Sequence, residues 1–465
     1  MKATNVNTLA VIASLGGFLF GYDTAVISGT IGFVTGQFGL DTINEGWYVS
    51  SALVGTIIGV SVAGILSDAY GRKNILILCG VFFGVSALGC MLAVGFTDLV
   101  LYRILGGIGV GVASMLSPLY ISEIAPAEKR GRLVTLYQFA ITIGILLAYF
   151  SNAFLLNLST SESMANQTGV VGQVFATEVW RAMLGSEIFP ALLFLVLLFF
   201  VPKSPRWLLK KGREEEARAI LLTIGDEAHA DKEIKEVERN LTMESGGLRM
   251  ILNGGFRVAL LMGMALALLA PLTGINAIIY YGPKILEEAG LQIGEALGGQ
   301  VIIGIVNVGF TLIAIWKIDQ IGRRPLLLTG VIGMVISLVT VGMLFFLEVN
   351  NTYLLMTFIL IFIASFAFSF GPVIWVLLSE IYPLNIRGTA MSIATFVLWL
   401  GNVFVGQMTP WFLENLRPHG TFWFYALCSV PTVFIVLRVM PETKGKTLEE
   451  IENYWLSKST HATQE

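Results

Sequence analysis

The chain has 465 residues, of which 55 % are hydrophobic and only 13 % are charged. Since an ordinary soluble domain carries about 25 % charged residues, this composition excludes a soluble multidomain enzyme and a disordered chain. The 29 Lys and Arg residues nearly balance the 32 Asp and Glu residues, so the net charge of −3 lacks the basic excess that nucleic-acid binding requires. A protein that crosses a membrane several times remains.

Twelve apolar segments are long enough to cross a bilayer as helices, which takes about 20 residues each. An open sheet cannot span lipid, and the alternation of barrel strands is absent, so we predict an all-α membrane fold. The first segment carries an internal Asp and is predicted to be a retained span. The predicted spans are 8–30, 47–67, 74–95, 98–123, 132–154, 182–201, 256–283, 298–318, 325–347, 352–378, 388–413 and 420–440.

The charges of the loops predict the orientation of the chain. Loops after even-numbered spans carry most of the Lys and Arg residues, as in Arg72-Lys73 and Arg323-Arg324, whereas loops after odd-numbered spans carry few. The positive-inside rule therefore places both termini and the long central loop in the cytoplasm. The three cysteines lie in apolar segments and the three histidines in loops or the tail, so we expect no metal site and no cofactor.

Four regions follow from this pattern: a six-helix bundle over 1–202, a cytoplasmic linker over 203–255, a second six-helix bundle over 256–440, and a cytoplasmic tail over 441–465. Within the linker, 214–222 and 231–241 have an apolar stripe at helical spacing. They are predicted to be short helices on the membrane-facing surface of the protein, with a solvated linker as the alternative.

The two bundles repeat each other in sequence. Asp-x-x-Gly-Arg-Lys at 68–73 recurs as Asp-x-x-Gly-Arg-Arg at 319–324, and Glu-Ile-Ala-Pro at 123–126 recurs as Glu-Ile-Tyr-Pro at 380–383. Gly21-Tyr-Asp has a weaker echo in Gly274-Ile-Asn. An even number of spans in each half gives both halves the same orientation, which predicts a parallel repeat of six plus six helices.

Acidic and basic residues cluster at the predicted cytoplasmic ends of the helices. Ion pairs between the two bundles at these positions would hold the cytoplasmic side closed; the alternative is that the residues only satisfy the charge rule for loops. The candidate gate residues are Asp68, Arg72, Glu123, Arg130, Arg206, Asp319, Arg323, Glu380 and Arg387.

Several motifs together give the chain a resemblance to the sugar-porter family of the major facilitator superfamily, closest to its bacterial proton-coupled xylose and hexose permeases. The motifs are Gly21-Tyr-Asp-Thr-Ala-Val-Ile-Ser-Gly29, Tyr102-Arg103, Arg130-Gly131, Pro202-Lys-Ser-Pro-Arg-Trp207, Gly274-Ile-Asn276 with Tyr280-Tyr281, and Pro441-Glu-Thr-Lys-Gly445. The resemblance covers nearly the whole chain. It implies a sugar-binding cavity at mid-membrane and transport by alternating access.

One pair of residues and one single residue depart from the pattern of this family. Ala270 and Pro271 stand where the family usually has two glutamines that hydrogen-bond the sugar, and Lys203 stands where the family favours Glu. Pro271 is also predicted to kink or loosen the seventh helix.

Asp23 and Arg103 are charged residues inside predicted spans, where an ionisable group is costly and is a functional candidate by default. Counted along the helices, Asp23 lies about 12 Å and Arg103 about 8 Å below the same membrane surface, so they can meet. We predict that Asp23 couples transport to proton entry and that Arg103 keeps it ionised. A purely structural ion pair is the alternative.

A sugar site needs amides that donate and accept hydrogen bonds and aromatic rings that pack on the sugar. The resemblance implies sugar contacts from the fifth, seventh, eighth, tenth and eleventh spans, an aromatic near the ring and an outer gate at Tyr280 and Tyr281. Gly371 and the following proline are predicted to break regular helix, which suits a moving gate, and Asn402 is a further amide. The alternatives are hydrogen bonding between helices for each amide, and lipid or core packing for each Trp. The predicted binding residues are Phe20, Gln138, Asn276, Tyr280, Asn307, Gly371, Trp375, Trp399 and Asn402.

The sequence therefore predicts a secondary active transporter, a monosaccharide/proton symporter acting as a monomer in a bacterial inner membrane. A facilitative uniporter, a carrier of another polyol or small organic solute, and a non-transporting sugar sensor remain as alternatives. An enzyme is not expected, since no buried nucleophile, metal cluster or pair of catalytic acids is recognisable.

Overall fold

The computed structural model describes residues 6–165, 167–242, 255–349, 351–382, 386–446, 450–451 and 454–455. All regular structure in these ranges is helical, and twelve spans are long and apolar enough to cross a membrane. Both findings confirm the prediction. The spans are Val6–Gly29, Thr42–Tyr70, Arg72–Leu92, Phe96–Ile124, Lys129–Ser159, Val179–Phe199, Phe256–Glu288, Ile293–Ile321, Arg323–Phe346, Thr352–Glu380, Arg387–Asn415 and Arg417–Arg438.

The seventh span is interrupted soon after its proline. One helix, Gly255–Leu272, ends one residue after Pro271, and a second helix, Ile275–Glu288, follows. Between them Gly274 has a φ of 86°, a left-handed conformation that favours glycine. The predicted loosening of this helix is confirmed, and the break itself lies at the glycine.

The tenth span is interrupted as well, at Ser369, between the helices Thr352–Phe368 and Phe370–Glu380. The expected break at Gly371 and the following proline is thus found two residues earlier. Both residues instead lie in the first turn of the second helix, where a proline removes no helical hydrogen bond.

The chain divides into two compact units, one of residues 1–39 and 51–244 and one of residues 40–50 and 245–465. In the first unit, the first span packs mainly on the fifth, and the third span packs on the fourth and sixth. In the second unit, the seventh span packs on the eleventh, and the ninth on the tenth and twelfth. The same packing order in both units confirms the duplication seen in the sequence.

Glycines allow the closest helix contacts in the first unit. A Cβ atom at Gly107 would collide with the carbonyl oxygen of Ala52, and a Cβ atom at Gly55 with that of Ile104. The second and fourth spans therefore touch backbone to backbone, which small residues permit in membrane helices. The glycine-rich segment of the fourth span is a packing surface.

Three short helices follow the sixth span: Pro205–Lys210, Glu214–Ile224 and Glu227–Thr242. The second and third contain the two predicted linker helices, which confirms them. Their apolar stripes form two small buried clusters, centred on Trp207 and on Leu221, so this part of the linker folds with the first unit.

Candidate functional site

The first span and the fourth span bring an acid and a base together inside the first unit. Arg103 Nη1 donates a hydrogen bond of 2.5 Å to Asp23 Oδ1, and each side chain is only 3 % exposed. A Cβ atom at Gly106, one turn beyond Arg103, would lie 2.5 Å from Ser86 Oγ, so the glycine lets the third and fourth spans pack closely beside this pair. The pairing expected from the depth of both residues is confirmed.

A third ionisable residue joins this pair. Glu187 lies where the sixth span is interrupted between the helices Val179–Gly185 and Ile188–Phe199, and it is 2 % exposed. Its carboxyl group lies near enough to Asp23 and Arg103 to interact electrostatically with both, and its Oε1 atom has no hydrogen-bond partner among the described residues. Glu187 is not among the residues predicted from the sequence, although an acid inside the predicted span 182–201 is a signal of a functional site.

In the second unit, the seventh and eleventh spans bring two predicted amides together. Asn276 Nδ2 donates a hydrogen bond to Asn402 Oδ1, and Asn402 Nδ2 donates to the carbonyl oxygen of Leu398 at 3.1 Å. Asn276 is the second residue of the helix that begins after the break at Gly274. The break therefore places this amide at a helix end, where its side chain can reach the neighbouring span.

Tyr281, on the same helix, is fully buried, and its hydroxyl donates to the carbonyl oxygen of Gly406 at 2.6 Å. Tyr280 is buried as well. The hydrogen bond of Tyr281 thus joins the second half of the seventh span to the eleventh span. Their role as an outer gate stays a prediction.

The other predicted binding residues differ in exposure. Asn307 on the eighth span and Trp399 on the eleventh are buried, at 8 % and 3 % exposure. Gly371 and Trp375 on the tenth span are half-buried, as are Phe20 and Gln138 in the first unit. Some of these residues lie on the helices that carry the Asp23–Arg103 pair or the Asn276–Asn402 pair. The others lie on helices that pack against those helices. Their contact with a sugar stays a prediction.

The positions that depart from the family pattern are closely packed in the second unit. Ala270 and Pro271 are both buried, and a Cβ atom at Gly401 would lie only 2.7 Å from Cγ of Pro271. Neither side chain offers a hydrogen bond. Hydrogen bonds to a solute in this unit must therefore come from other residues.

The repeated motifs form the same ion-pair arrangement in each unit. In the first unit, Arg72 pairs with Asp68 at 2.8 Å and with Glu123 at 3.0 Å. The Ser204 hydroxyl donates to Glu123 at 2.5 Å, and Lys210 pairs with Asp68 at 2.8 Å. These contacts join the second, third and fourth spans to the first linker helix.

In the second unit, Arg323 pairs with Asp319 and with Glu380, both at 2.9 Å, and the Thr443 hydroxyl donates to Glu380 at 2.6 Å. The turn that carries each motif contains a glycine with positive φ, 91° in the first unit and 102° in the second. This conformation explains the glycine of both motifs.

The remaining candidate gate residues also have partners inside their own unit. Arg206 and Arg130 approach the two carboxylate oxygens of Glu233 at 3.3 Å and 3.6 Å. Arg387 Nε donates to the carbonyl oxygen of Tyr382 at 3.2 Å. A role for these residues in closing one side of the transporter stays a prediction.

The fold and the site together define a class of protein. Twelve apolar helices in two repeated six-helix halves, with buried charges and isolated amides on the helices, form a solute transporter of the major facilitator type. The sequence model of the "Sugar (and other) transporter" family matches residues 9–455. The chain belongs to this family, which confirms the resemblance, and it is a multi-pass membrane protein and not an enzyme.

Known proteins are similar over nearly the full length of the chain. The arabinose-proton symporter of Bacillus subtilis is 39 % identical, and the similarity covers 96 % of this chain and 94 % of that protein. The D-xylose-proton symporter of Escherichia coli is 38 % identical, with 98 % and 96 % covered. The structure of the Escherichia coli xylose transporter in its inward-open conformation matches with a TM-score of 0.83 at 36 % identity, covering 97 % of this chain and all of that one.

Proposed function

We propose that the chain is a secondary active transporter that carries a monosaccharide together with a proton by alternating access. The observation that carries the proposal is the buried pair of Asp23 and Arg103, at 2.5 Å, with Glu187 beside it. The names of the arabinose and xylose relatives support both the sugar and the proton.

The charge balance of this cluster suggests how a proton is used. Asp23 and Glu187 are two buried carboxyl groups, and Arg103 is the guanidinium that the described contacts place beside them. Burying an uncompensated charge is costly, so a proton is expected to reside in the cluster. Protonation of Asp23 would remove its attraction for Arg103 and free the first span to move against the fourth. Sugar and proton together would then favour the inward-facing state.

We propose that the sugar is held by amides and aromatic rings. In the second unit, Asn276 and Asn402 already form a hydrogen-bonded pair that a sugar hydroxyl could join, since each amide group can both donate and accept. The proposed set further comprises Phe20, Gln138, Tyr280, Asn307, Gly371, Trp375 and Trp399.

We further propose that the protein lies in the inner membrane of a bacterium, with both termini in the cytoplasm and one chain as the functional unit. The asymmetry of Lys and Arg between loops supports this orientation. The regions 1–202, 203–255, 256–440 and 441–465 would serve as first bundle, linker, second bundle and tail.

Reconstitution in liposomes tests the proposal. A pH gradient, acidic outside, is imposed, and uptake of labelled pentoses, hexoses and polyols is followed in parallel with movement of the proton. We expect at least one monosaccharide to accumulate above its outside concentration and to lose this accumulation when the gradient is dissipated. Equilibration without accumulation would instead identify a uniporter, accumulation of a polyol alone another carrier, and binding without uptake a sensor.

A further inference from the structure

The two units differ at one charged position that their repeat makes equivalent. After the last span of each unit comes a Pro-x-Ser/Thr segment, at 202–204 and at 441–443. The hydroxyl that ends each segment donates to the carboxylate at the end of the fourth or the tenth span, at 2.5 Å and 2.6 Å. The middle residues of the two segments, Lys203 and Glu442, therefore occupy equivalent positions with opposite charge.

In the second unit the carboxylate at this position has clear partners. Glu442 accepts hydrogen bonds from the backbone N–H groups of Arg323 and Arg324, at 3.1 Å and 3.0 Å. The Arg324 side chain donates to the carbonyl oxygens of Val436 and Leu437, at the end of the twelfth span. A basic residue thus caps the last span, and a carboxylate is bound to the backbone of the same residue.

In the first unit the same arrangement lacks the carboxylate. Lys73, the equivalent of Arg324, donates to the carbonyl oxygen of Phe199 at the end of the sixth span, at 2.9 Å. The ammonium group of Lys203 lies near enough to that of Lys73 for the two positive charges to interact. Two like charges held near each other repel unless an anion lies close to both.

The neighbouring carboxylates have other partners. Asp68 is paired with Arg72 and Lys210, and Glu123 with Arg72 and Ser204. In the described part of the chain, no hydrogen bond or ion pair joins a carboxylate to either of the two lysines. Four basic side chains thus lie near only two carboxylates at this end of the first unit. The basic residues are Arg72, Lys73, Lys203 and Lys210, and the carboxylates are those of Asp68 and Glu123.

The surroundings of the two lysines identify the source of an anion. Phe199 and Phe200, which end the sixth span, are 61 % and 77 % exposed, and Tyr70, two residues before Arg72, is 61 % exposed. Large apolar side chains exposed at the end of a membrane helix lie against lipid, and tyrosines such as Tyr70 favour the level of the headgroups. The lysines are thus next to the part of a bilayer that carries phosphate groups.

We propose that Lys73 and Lys203 bind the phosphate of an anionic phospholipid at the predicted cytoplasmic surface. The lipid phosphate would occupy the place of charge compensation that the Glu442 carboxylate fills in the second unit, while the acyl chains would lie along Phe199 and Phe200. Juxtamembrane basic residues attract anionic lipids in the same way. This proposal is independent of which solute the protein carries.

Lipid retention by the full chain tests the proposal. The wild type and the variants Lys73→Gln, Lys203→Gln, Lys203→Glu, Lys203→Arg and Lys211→Gln are reconstituted with phosphatidylethanolamine and phosphatidylglycerol, extracted, and examined by native mass spectrometry. Lys211 is an exposed lysine of the same linker, so its variant is the matched control for the loss of one charge.

We expect both Gln variants and the Glu variant to retain at least fivefold less phosphatidylglycerol than the wild type. The Arg and Lys211 variants should retain as much as the wild type. The Lys203→Glu variant places in the first unit the negative charge that Glu442 has at the equivalent position of the second. It should therefore unfold at the same temperature as the wild type or at a higher one, so a loss of lipid binding in this variant cannot be attributed to a loss of folding.

Two results would overturn the proposal. The first is equal retention of phosphatidylglycerol by the wild type and by all Lys73 and Lys203 variants. The second is binding of inorganic phosphate, in detergent, that depends on the two lysines while no phosphatidylglycerol is retained, since the anion would then come from solution.

Discussion

Arg103 on the fourth span donates a 2.5 Å hydrogen bond to Asp23 on the first span, eighty residues away in sequence, and both side chains are nearly inaccessible. A buried guanidinium and carboxylate stabilise each other, whereas either alone would be a costly uncompensated charge. The contact thus ties the position of two helices to the protonation state of one side chain.

The variant Asp23→Asn is expected to separate sugar movement from proton movement. The amide keeps the shape of the side chain but cannot exchange a proton, so accumulation driven by a pH gradient should be lost while sugar counterflow persists. Uptake by reconstituted liposomes measures both modes. Asp98→Asn, at an exposed acid in the first turn of the fourth span, is the control and should retain accumulation. Undiminished accumulation by Asp23→Asn would make the ion pair purely structural.

Glu187→Gln is expected to behave differently from Asp23→Asn. If Glu187 is the neutral member of the cluster while Asp23 pairs with Arg103, a neutral amide replaces it with little change, and gradient-driven accumulation should remain within about threefold of the wild type. The same liposome assay, run over a range of outside pH, provides the measurement. Loss of accumulation here, together with its survival in Asp23→Asn, would transfer the proton-coupling role to Glu187.

Gln138→Ala and Asn276→Ala are each expected to abolish saturable sugar uptake, because each removes an amide proposed to bind the sugar directly. Asn402→Ala should be milder and raise KM about tenfold, which corresponds to the loss of one well-placed hydrogen bond of about 1.4 kcal/mol. Initial uptake rates over a range of sugar concentrations measure these effects. Normal uptake by both the Gln138 and the Asn276 variants, at normal expression, would contradict the site.

The repeated ion pairs predict unequal losses of stability. The Glu123 side chain is 7 % exposed and the Glu380 side chain 26 % exposed. Removing the charge of Glu123 leaves the buried Arg72 without this partner, at a cost of about 3 kcal/mol, whereas water can reach the more exposed position of Glu380 and partly replace its carboxylate. Glu123→Gln should therefore lower the melting temperature in detergent more than Glu380→Gln. The opposite order would show that burial does not decide the strength of these pairs.

A network before the sixth span predicts a pH dependence of stability. Partial burial raises the pKa of Glu178, but the hydrogen bonds from Gln37, Gln173 and Arg181 together lower it by a larger amount. The pKa of Glu178 therefore lies below that of an ordinary Glu. A carboxyl group with a lowered pKa stabilises the folded state above its unfolded pKa, and the stabilisation is lost as the pH falls through the folded pKa.

The melting temperature of Glu178→Gln should therefore fall below that of the wild type at neutral pH, and the difference should shrink as the pH falls below about 4. Glu162→Gln, at an exposed acid of the short helix Glu162–Ala165, serves as the control for the loss of one surface carboxylate. A difference that is constant with pH would mean that the Glu178 carboxylate charge does not contribute.

Much of the site could be predicted because membrane burial makes charged and amide side chains conspicuous. Asp23 and Arg103 stood out as charges within apolar runs, and counting residues along two helices was enough to predict their contact. The same rule applied to Glu187 and was not followed. The break at Ser369 lies two residues before the predicted one. The proline after Gly371 is accommodated in the first turn of the second helix, where it removes no helical hydrogen bond, so the break precedes it.

The sequence by itself determined the class of the protein, the number of its spans and its internal duplication, since each depends on composition and period alone. Only the tertiary structure decided which side chains meet: Glu187 with Asp23, Asn276 with Asn402, and Lys73 with the end of the sixth span. The physical reason is that these contacts join helices distant in the chain, and their geometry depends on how helix faces and interruptions are packed.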